Sequence, residues 1–233
     1  MAGAVVIGAG PGIGAAVARR FAREGLPVAL VARSRRSLGP VAETVAEAAA
    51  AAGPGVPPGS AVLPLAADVT DEAALRAALD AATGRFGVPD AVVYNAALVR
   101  ADALGELARP ALLDAWAVNV GGALTAAVHL APAMARRGGG SFLITGGMPE
   151  PKAPYVSLSL GKAGVRTLAR LLDLEYGPAG VHVATVTVDG VVAPGTDFDP
   201  DVIAEHYWRL HAQPRPRWEH DVLHRGADAR APG

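Results

Sequence analysis

Short apolar runs alternate with longer stretches of helical periodicity from one end of the chain to the other. Residues 4–7, 28–32, 61–66, 91–94, 141–145 and 181–188 are compact apolar runs with little polar alternation, as expected for strands buried on both faces of a parallel sheet. Between them the spacing predicts helices over about 12–24, 37–52, 71–83 and 157–176. Helical material over 107–137 is expected to break near Pro110 and at Gly121-Gly122. Thr70 or Asp71 caps the helix that starts at 71, and Asp199-Pro200-Asp201 opens a further helix before a final strand. Gly53-Pro54-Gly55-Val56-Pro57-Pro58-Gly59 reads as a loop. Strands and helices in strict alternation imply right-handed crossovers with helices on both faces. No linker or internal repeat is visible, so the expectation is one α/β domain over 1–233, a doubly wound parallel sheet.

Composition narrows the possibilities without redirecting them. The 233 residues are 51% hydrophobic and 18% charged, which suits a sheet covered on both faces. A formal net charge of −1 supplies no global field toward nucleic acid or an anionic membrane, so neither is expected as a partner. The absence of cysteine removes disulfides and thiolate metal sites. With no basic leader and no apolar stretch read as long enough to span a bilayer, a cytoplasmic location is expected. The end of the chain gathers His206, His211, His220 and His224 with Trp208 and Trp218. His206 and His211 are five apart, a poor spacing for one helical face, and no metal site is expected. The two tryptophans are expected to pack the last helix and strand onto the sheet, and His129 and His182 to be structural.

The first candidate chemistry follows the first strand directly. Gly8-Ala9-Gly10-Pro11-Gly12-Ile13-Gly14 opens a helix at the end of an apolar run. Glycines there permit a tight turn and close approach of the backbone to a diphosphate, which the amides and positive end of the helix then favour. The second strand is followed by Arg33-Ser34-Arg35-Arg36, where a site for an unmodified ribose would carry an acid. A guanidinium fork suits a 2′-phosphate, so NADP(H) is expected over NAD(H), with Arg33 as leading contact and Ser34 as helper.

Read together, these and later motifs resemble the short-chain dehydrogenase/reductase family over about residues 3–190. Gly8, Gly12, Ile13 and Gly14 match its glycine motif, and Asp68-Val69 is similar to the pair that contacts adenine. Tyr94-Asn95-Ala96-Ala97 resembles the Asn-Asn-Ala-Gly motif, Asn119-Val120 the helix-borne active-site asparagine, and Lys162-Ala163 the active-site lysine. The resemblance implies a Rossmann-type fold, a small-molecule substrate, and a homo-oligomer (dimer or tetramer) formed by the helices near 107–137 and 157–176. It implies that the lysine binds the nicotinamide ribose and lowers the pKa of a tyrosine that moves the proton, that a serine polarises the substrate oxygen, and that the asparagine holds a water.

Three departures bear on the reaction. Four residues before Lys162 stands Leu158, where the resemblance calls for tyrosine. At the serine position, alignment on the fifth strand gives glycine, whereas counting from the tyrosine position gives Thr145, whose hydroxyl could substitute. Tyr155 is the rescue candidate for the proton donor, against a plain packing role on the sheet. The Pro-Gly motif after the sixth strand reads Asp189-Gly190, and Val191 to Phe198 leaves room for only a short substrate lid, so the site is expected to be open or covered by another subunit. Three functions stay open: an NADPH-dependent carbonyl reductase with a non-standard proton donor, a scaffold repurposed for cyclisation, dehydration or isomerisation, and a non-catalytic NADP(H)-binding sensor or scaffold.

Overall fold

The computed structural model describes residues 2–51 and 62–226, and within them seven parallel strands form one sheet. The strands are β1 (Ala4–Ile7), β2 (Val28–Ala32), β3 (Val62–Ala66), β4 (Ala91–Tyr94), β5 (Gly140–Thr145), β6 (Val181–Val188) and β7 (Asp221–His224). Their order across the sheet is β3-β2-β1-β4-β5-β6-β7. The order reverses between β1 and β4, which opens a crevice at the carboxyl ends of those strands. In register, Ile7 lies opposite Val31 and Tyr94, and Tyr94 opposite Ile144.

Strand parity divides the core. Val6, Leu30, Val93, Leu143 and Val186 face α1 (Ile13–Arg23), α2 (Arg35–Ala51) and α7 (Pro200–Ala212). Val5, Val31, Val92, Phe142 and Ile144 face α3 (Glu72–Phe86), α5 (Gly122–Arg137) and α6 (Val156–Tyr176). Doubly wound architecture is therefore observed as expected.

Several boundaries differ, each for a local reason. The helix α2 starts two residues before the expected 37, because Ser34 Oγ accepts the Arg36 amide at 3.2 Å. Asp71, not Thr70, caps α3 by accepting the Ala74 amide at 3.0 Å, and α3 continues to Phe86 before Gly87 ends it with φ 81°. The expected loop over 53–59 and the start of the third strand at Ala61 lie outside the described residues.

The expected breaks within 107–137 do not occur. Pro110 sits in the first turn of α4 (Arg109–Trp116), where an absent N–H leaves no bond unmade. Gly121-Gly122 lies where a π-turn, Ala117–Gly121, passes straight into α5. The resulting run of 29 residues, with a mean hydropathy of 1.4 in its most apolar window, is by length and composition able to cross a membrane. That corrects the expectation that no such stretch exists. In this fold the run packs against α3, β5 and α6.

At the end of the chain, Trp208 meets Phe21 edge-on at 5.4 Å and lies under the Arg20 guanidinium at 5.0 Å, which seats α7 on α1. Trp218 stacks on the buried His182 at 4.6 Å, beside the entry to β7.

Replacing Asp71 by Ala removes the α3 cap, and is expected to lower unfolding free energy by about 1 kcal/mol with an unchanged denaturant slope. Urea unfolding of the two proteins measures it; equal midpoints would show that the cap is not stabilising.

Candidate active site

At the end of β1 the chain turns through Gly8 with φ 89°. A Cβ on Gly8 would lie 2.3 Å from the Ala96 amide, and one on Gly14 would lie 2.3 Å from the Gly8 carbonyl. Close packing of the turn on the end of β4 therefore demands glycine at both places. Gly10 and Gly12 are different: nothing lies within 4 Å of a Cβ built on either. Gly12 is the N-cap of α1, no side chain caps that helix, and its positive end starts next to the cleft that Gly8, Gly10 and Pro11 line.

A cavity of about 360 Å³ follows the turn. Of the expected cofactor residues, Gly8, Arg33, Ser34, Asp68, Val69, Asn95 and Ala96 line it, with Gly12, Ile13 and Gly14 at the adjoining helix start. Arg33 and Asp68 follow β2 and β3, which are paired in register at Ala32 and Ala66. Two bonds from Thr70, amide and hydroxyl, hold the Asp68 carboxyl below its ordinary pKa, with a smaller contribution from the Arg33 charge. Ser37, Leu98 and Val118 also line the cavity and escape the sequence reading. Ser37 is traceable from its place three residues after Ser34 on one helical side, whereas Leu98 and Val118 arrive only through tertiary packing.

Behind the turn runs a chain of hydrogen bonds. Asn95 Nδ2 donates to the Gly8 carbonyl at 2.9 Å, and Asn95 Oδ1 accepts the Thr145 hydroxyl at 2.8 Å. The single Thr145 proton is committed there, so the Tyr207 hydroxyl, 2.7 Å away, donates to Thr145. Burial pushes the Tyr207 phenol well above its ordinary pKa, against the smaller opposing effect of Thr145. Thr145 thus shares the sheet face of Leu143 and α7, and in this arrangement its hydroxyl proton is directed to Asn95.

Lys162 and Asn119 come together on the other face. Lys162 Nζ donates to the Thr145 carbonyl at 2.7 Å. Burial pushes the ammonium pKa down to about 8, and the nearby Arg166 charge adds to the fall. Asn119 projects from the π-turn, accepting the Leu98 amide at 2.9 Å and donating to the Leu98 carbonyl at 3.4 Å. The turn is held from below, where the buried Tyr94 hydroxyl donates to the Val118 carbonyl. A Cβ on Gly161 would come within 2.9 Å of Asn119, so glycine lets α6 bring Lys162 alongside.

Leu158 is buried one turn before Lys162. Tyr155 is half-buried at the N-cap of α6, seven residues or about two turns before Lys162, and its backbone bridges to Asp102. Asp102 receives both the amide (2.9 Å) and the hydroxyl of Ser157, which fastens the chain after β4 to the start of α6. The Ser157 hydroxyl is the main cause holding the Asp102 carboxyl below its ordinary pKa. Between β6 and α7 the chain folds back on itself, with the Phe198 ring against Gly190.

A sequence profile of the family described as short chain dehydrogenase matches residues 2–201. The probable oxidoreductase EphD of Mycobacterium tuberculosis is 31% identical over 205 residues, which are 82% of this chain and 33% of that protein. The chain therefore spans about a third of that relative's length. Cis-4-hydroxycyclohexanecarboxylate dehydrogenase of Sinomonas cyclohexanicum is 32% identical over 197 residues, covering 82% of this chain and 72% of the relative. Among solved structures, the alcohol dehydrogenase of the archaeon Thermococcus sibiricus complexed with 5-hydroxy-NADP matches with a TM-score of 0.86 at 26% identity over 100% of both chains.

The Asp102 carboxylate binds its proton more weakly folded than unfolded, so its pair with Ser157 stabilises the protein above the ordinary aspartate pKa and loses effect as pH falls through the depressed value. Ser157→Ala is therefore expected to be less stable than the parent at neutral pH, with the gap narrowing in acid. Urea midpoints at pH 7 and at about pH 3 test it; a gap independent of pH would reject the assignment.

Proposed function

The chain belongs to the short-chain dehydrogenase family, and on that premise we propose that it is an NADPH-dependent oxidoreductase that reduces a carbonyl group with a non-standard proton donor. The observation that carries the cofactor reading is the shared cavity of the glycine turn with Arg33 and Ser34, where no acid stands at the end of β2. The open backbone at Gly10 and Gly12 fits a diphosphate, and the Arg33 fork fits a 2′-phosphate. The NADP analogue in the Thermococcus sibiricus structure supports the same choice.

When bound, the cofactor supplies the hydride. Asp68 and Val69 would hold its adenine end, Asn95 and Ala96 would support the glycine turn that takes the diphosphate, and Lys162 would hold the nicotinamide ribose. Asn119 holds a water in the proton path, and Tyr155 delivers the proton from the start of α6. Thr145 serves by fixing the Asn95 amide rather than by polarising the substrate. Leu113, Trp116, Leu124 and Val128 on α4 and α5, with Leu160, Leu171 and Leu174 on α6, form an exposed apolar set that favours a homo-oligomer, a dimer or tetramer.

A second reading, cyclisation, dehydration or isomerisation of a specialised metabolite, is favoured by the buried Leu158 and the committed Thr145 proton. It predicts conversion of substrate with no net change in nicotinamide absorbance.

Fluorescence titration is expected to show tighter binding of NADPH than of NADH, and Arg33→Ala to weaken NADPH by about 10- to 100-fold while sparing NADH. Equal affinities in the parent would remove the 2′-phosphate argument. With a reducible carbonyl, Lys162→Met is expected to abolish NADPH oxidation and Tyr155→Phe to slow it by about 10²–10⁴-fold. Unchanged rates in both variants would sink the proposed roles.

A further inference from the structure

Arg166 stands one helical turn beyond Lys162 on α6, half-buried, and the sequence reading gives it no role. Among the described residues no carboxylate pairs with its guanidinium. Nη1 donates instead to two backbone carbonyls, Gly147 at 2.9 Å and Met148 at 3.1 Å. These residues form the turn after β5, and their backbone is unusual: Gly147 has φ 154° and Met148 has φ 47°. Met148 is the only non-glycine residue with positive φ among those described. A side-chain-bearing residue persists in that region only where its surroundings hold it. The same turn roofs the lysine, since a Cβ on Gly147 would touch Lys162 Cε at 3.6 Å and the Val188 carbonyl at 3.7 Å.

We propose that Arg166 is a positioning residue, which fastens the Gly147–Met148 turn over Lys162 and holds a second positive charge beside it. Side chains four apart on a helix are neighbours, and like charges so placed disfavour one another. Among the described residues no carboxylate pairs with Lys162 either. The π-turn presents Asn119, which is neutral, and β5 presents the Thr145 carbonyl. Arg166 also borders a trough of about 850 Å³ between α6 and β7, together with Arg170, Asp173, His220 and Asp221. There Asp173 faces His220 at 3.5 Å, and Asp221 accepts the hydroxyls of Thr185 and Thr187. Both carboxylates are therefore already engaged.

The effect on Lys162 is a loosened proton, in the direction that burial already drives it. A lysine that titrates nearer neutrality can exchange its proton with a donor or water during turnover. That last consequence rests on the oxidoreductase reading, whereas the hydrogen bonds and the titration do not.

The chain makes the test clean, because it contains two lysines, Lys152 and Lys162. In protein labelled with ¹³Cε-lysine each titrates separately by NMR, and the half-exposed Lys152 serves as internal control. Arg166→Gln keeps a donor but removes the charge, and is expected to raise the Lys162 midpoint by about 1 pH unit and leave Lys152 in place. Arg166→Lys keeps the charge without the fork; its Lys162 midpoint is expected to stay near the parent value, with the extra lysine signal recognised by its absence in the parent. Amide exchange across residues 147–149 is expected to quicken in both. An unmoved Lys162 midpoint in Arg166→Gln, or an equal rise in both variants, would overturn the proposal. Should Arg166→Gln not fold, a raised midpoint in Arg166→Lys alone would do the same. A shifted midpoint in a protein that reduces no carbonyl would leave the inference standing and count against the oxidoreductase reading.

Discussion

Where β1, β4 and β5 end side by side, the chain leaves the sheet in three directions and one amide side chain has to satisfy two of them. Asn95 donates to the Gly8 carbonyl and accepts from Thr145, which in turn accepts from Tyr207 on α7. An amide engaged at both ends has one orientation, and a buried chain of such bonds is costly to leave partly made. Much else depends on it. The glycine turn is pressed against Ala96 by Gly8 and against Asn95 by Gly14, so Gly10 and Gly12 are left as its open side. The cleft keeps its shape because its floor is tied through Thr145 to α7, the helix that packs beside α1.

Much of the scaffold is readable in the residues, and for identifiable reasons. The ends of β1, β2, β4 and β6 agree to the residue, since each is an apolar run bounded by glycine, proline or a polar residue. Arg33 and Asp68 are readable because they follow two strands paired in register. Thr145 is harder. Its position matches the count from Lys162, but its side is decided by the parity of β5, and Leu143 already commits that parity to the face of α7. A count along the chain carries no information about faces until the helices are placed on them.

The π-turn is the clearest case of a feature that local pattern cannot announce. Glycine pairs usually interrupt helices, and Gly121-Gly122 carries that signal. The helix continues because tertiary partners take up what the wider turn releases: Tyr94 reaches the Val118 carbonyl, and Asn119 meets both backbone groups of Leu98. Small residues on α6 complete the arrangement, for a Cβ on Gly164 would come within 2.9 Å of both Trp116 and Val120. Arg166 is invisible for the same reason, its partners being carbonyls of a turn that no side-chain pattern encodes.

Beneath that turn, a Cβ on Gly122 would fall 2.3 Å from the Tyr94 hydroxyl and 2.9 Å from Val69. Positions 94 and 122 therefore divide a single volume. A larger residue at 122 needs a smaller residue at 94 and room beside Val69, and a smaller residue at 94 alone leaves a void and removes the hydroxyl from the Val118 carbonyl. As the sequence drifts, the two sites are bound to change in a set order or together, and the history of one cannot be read without the other.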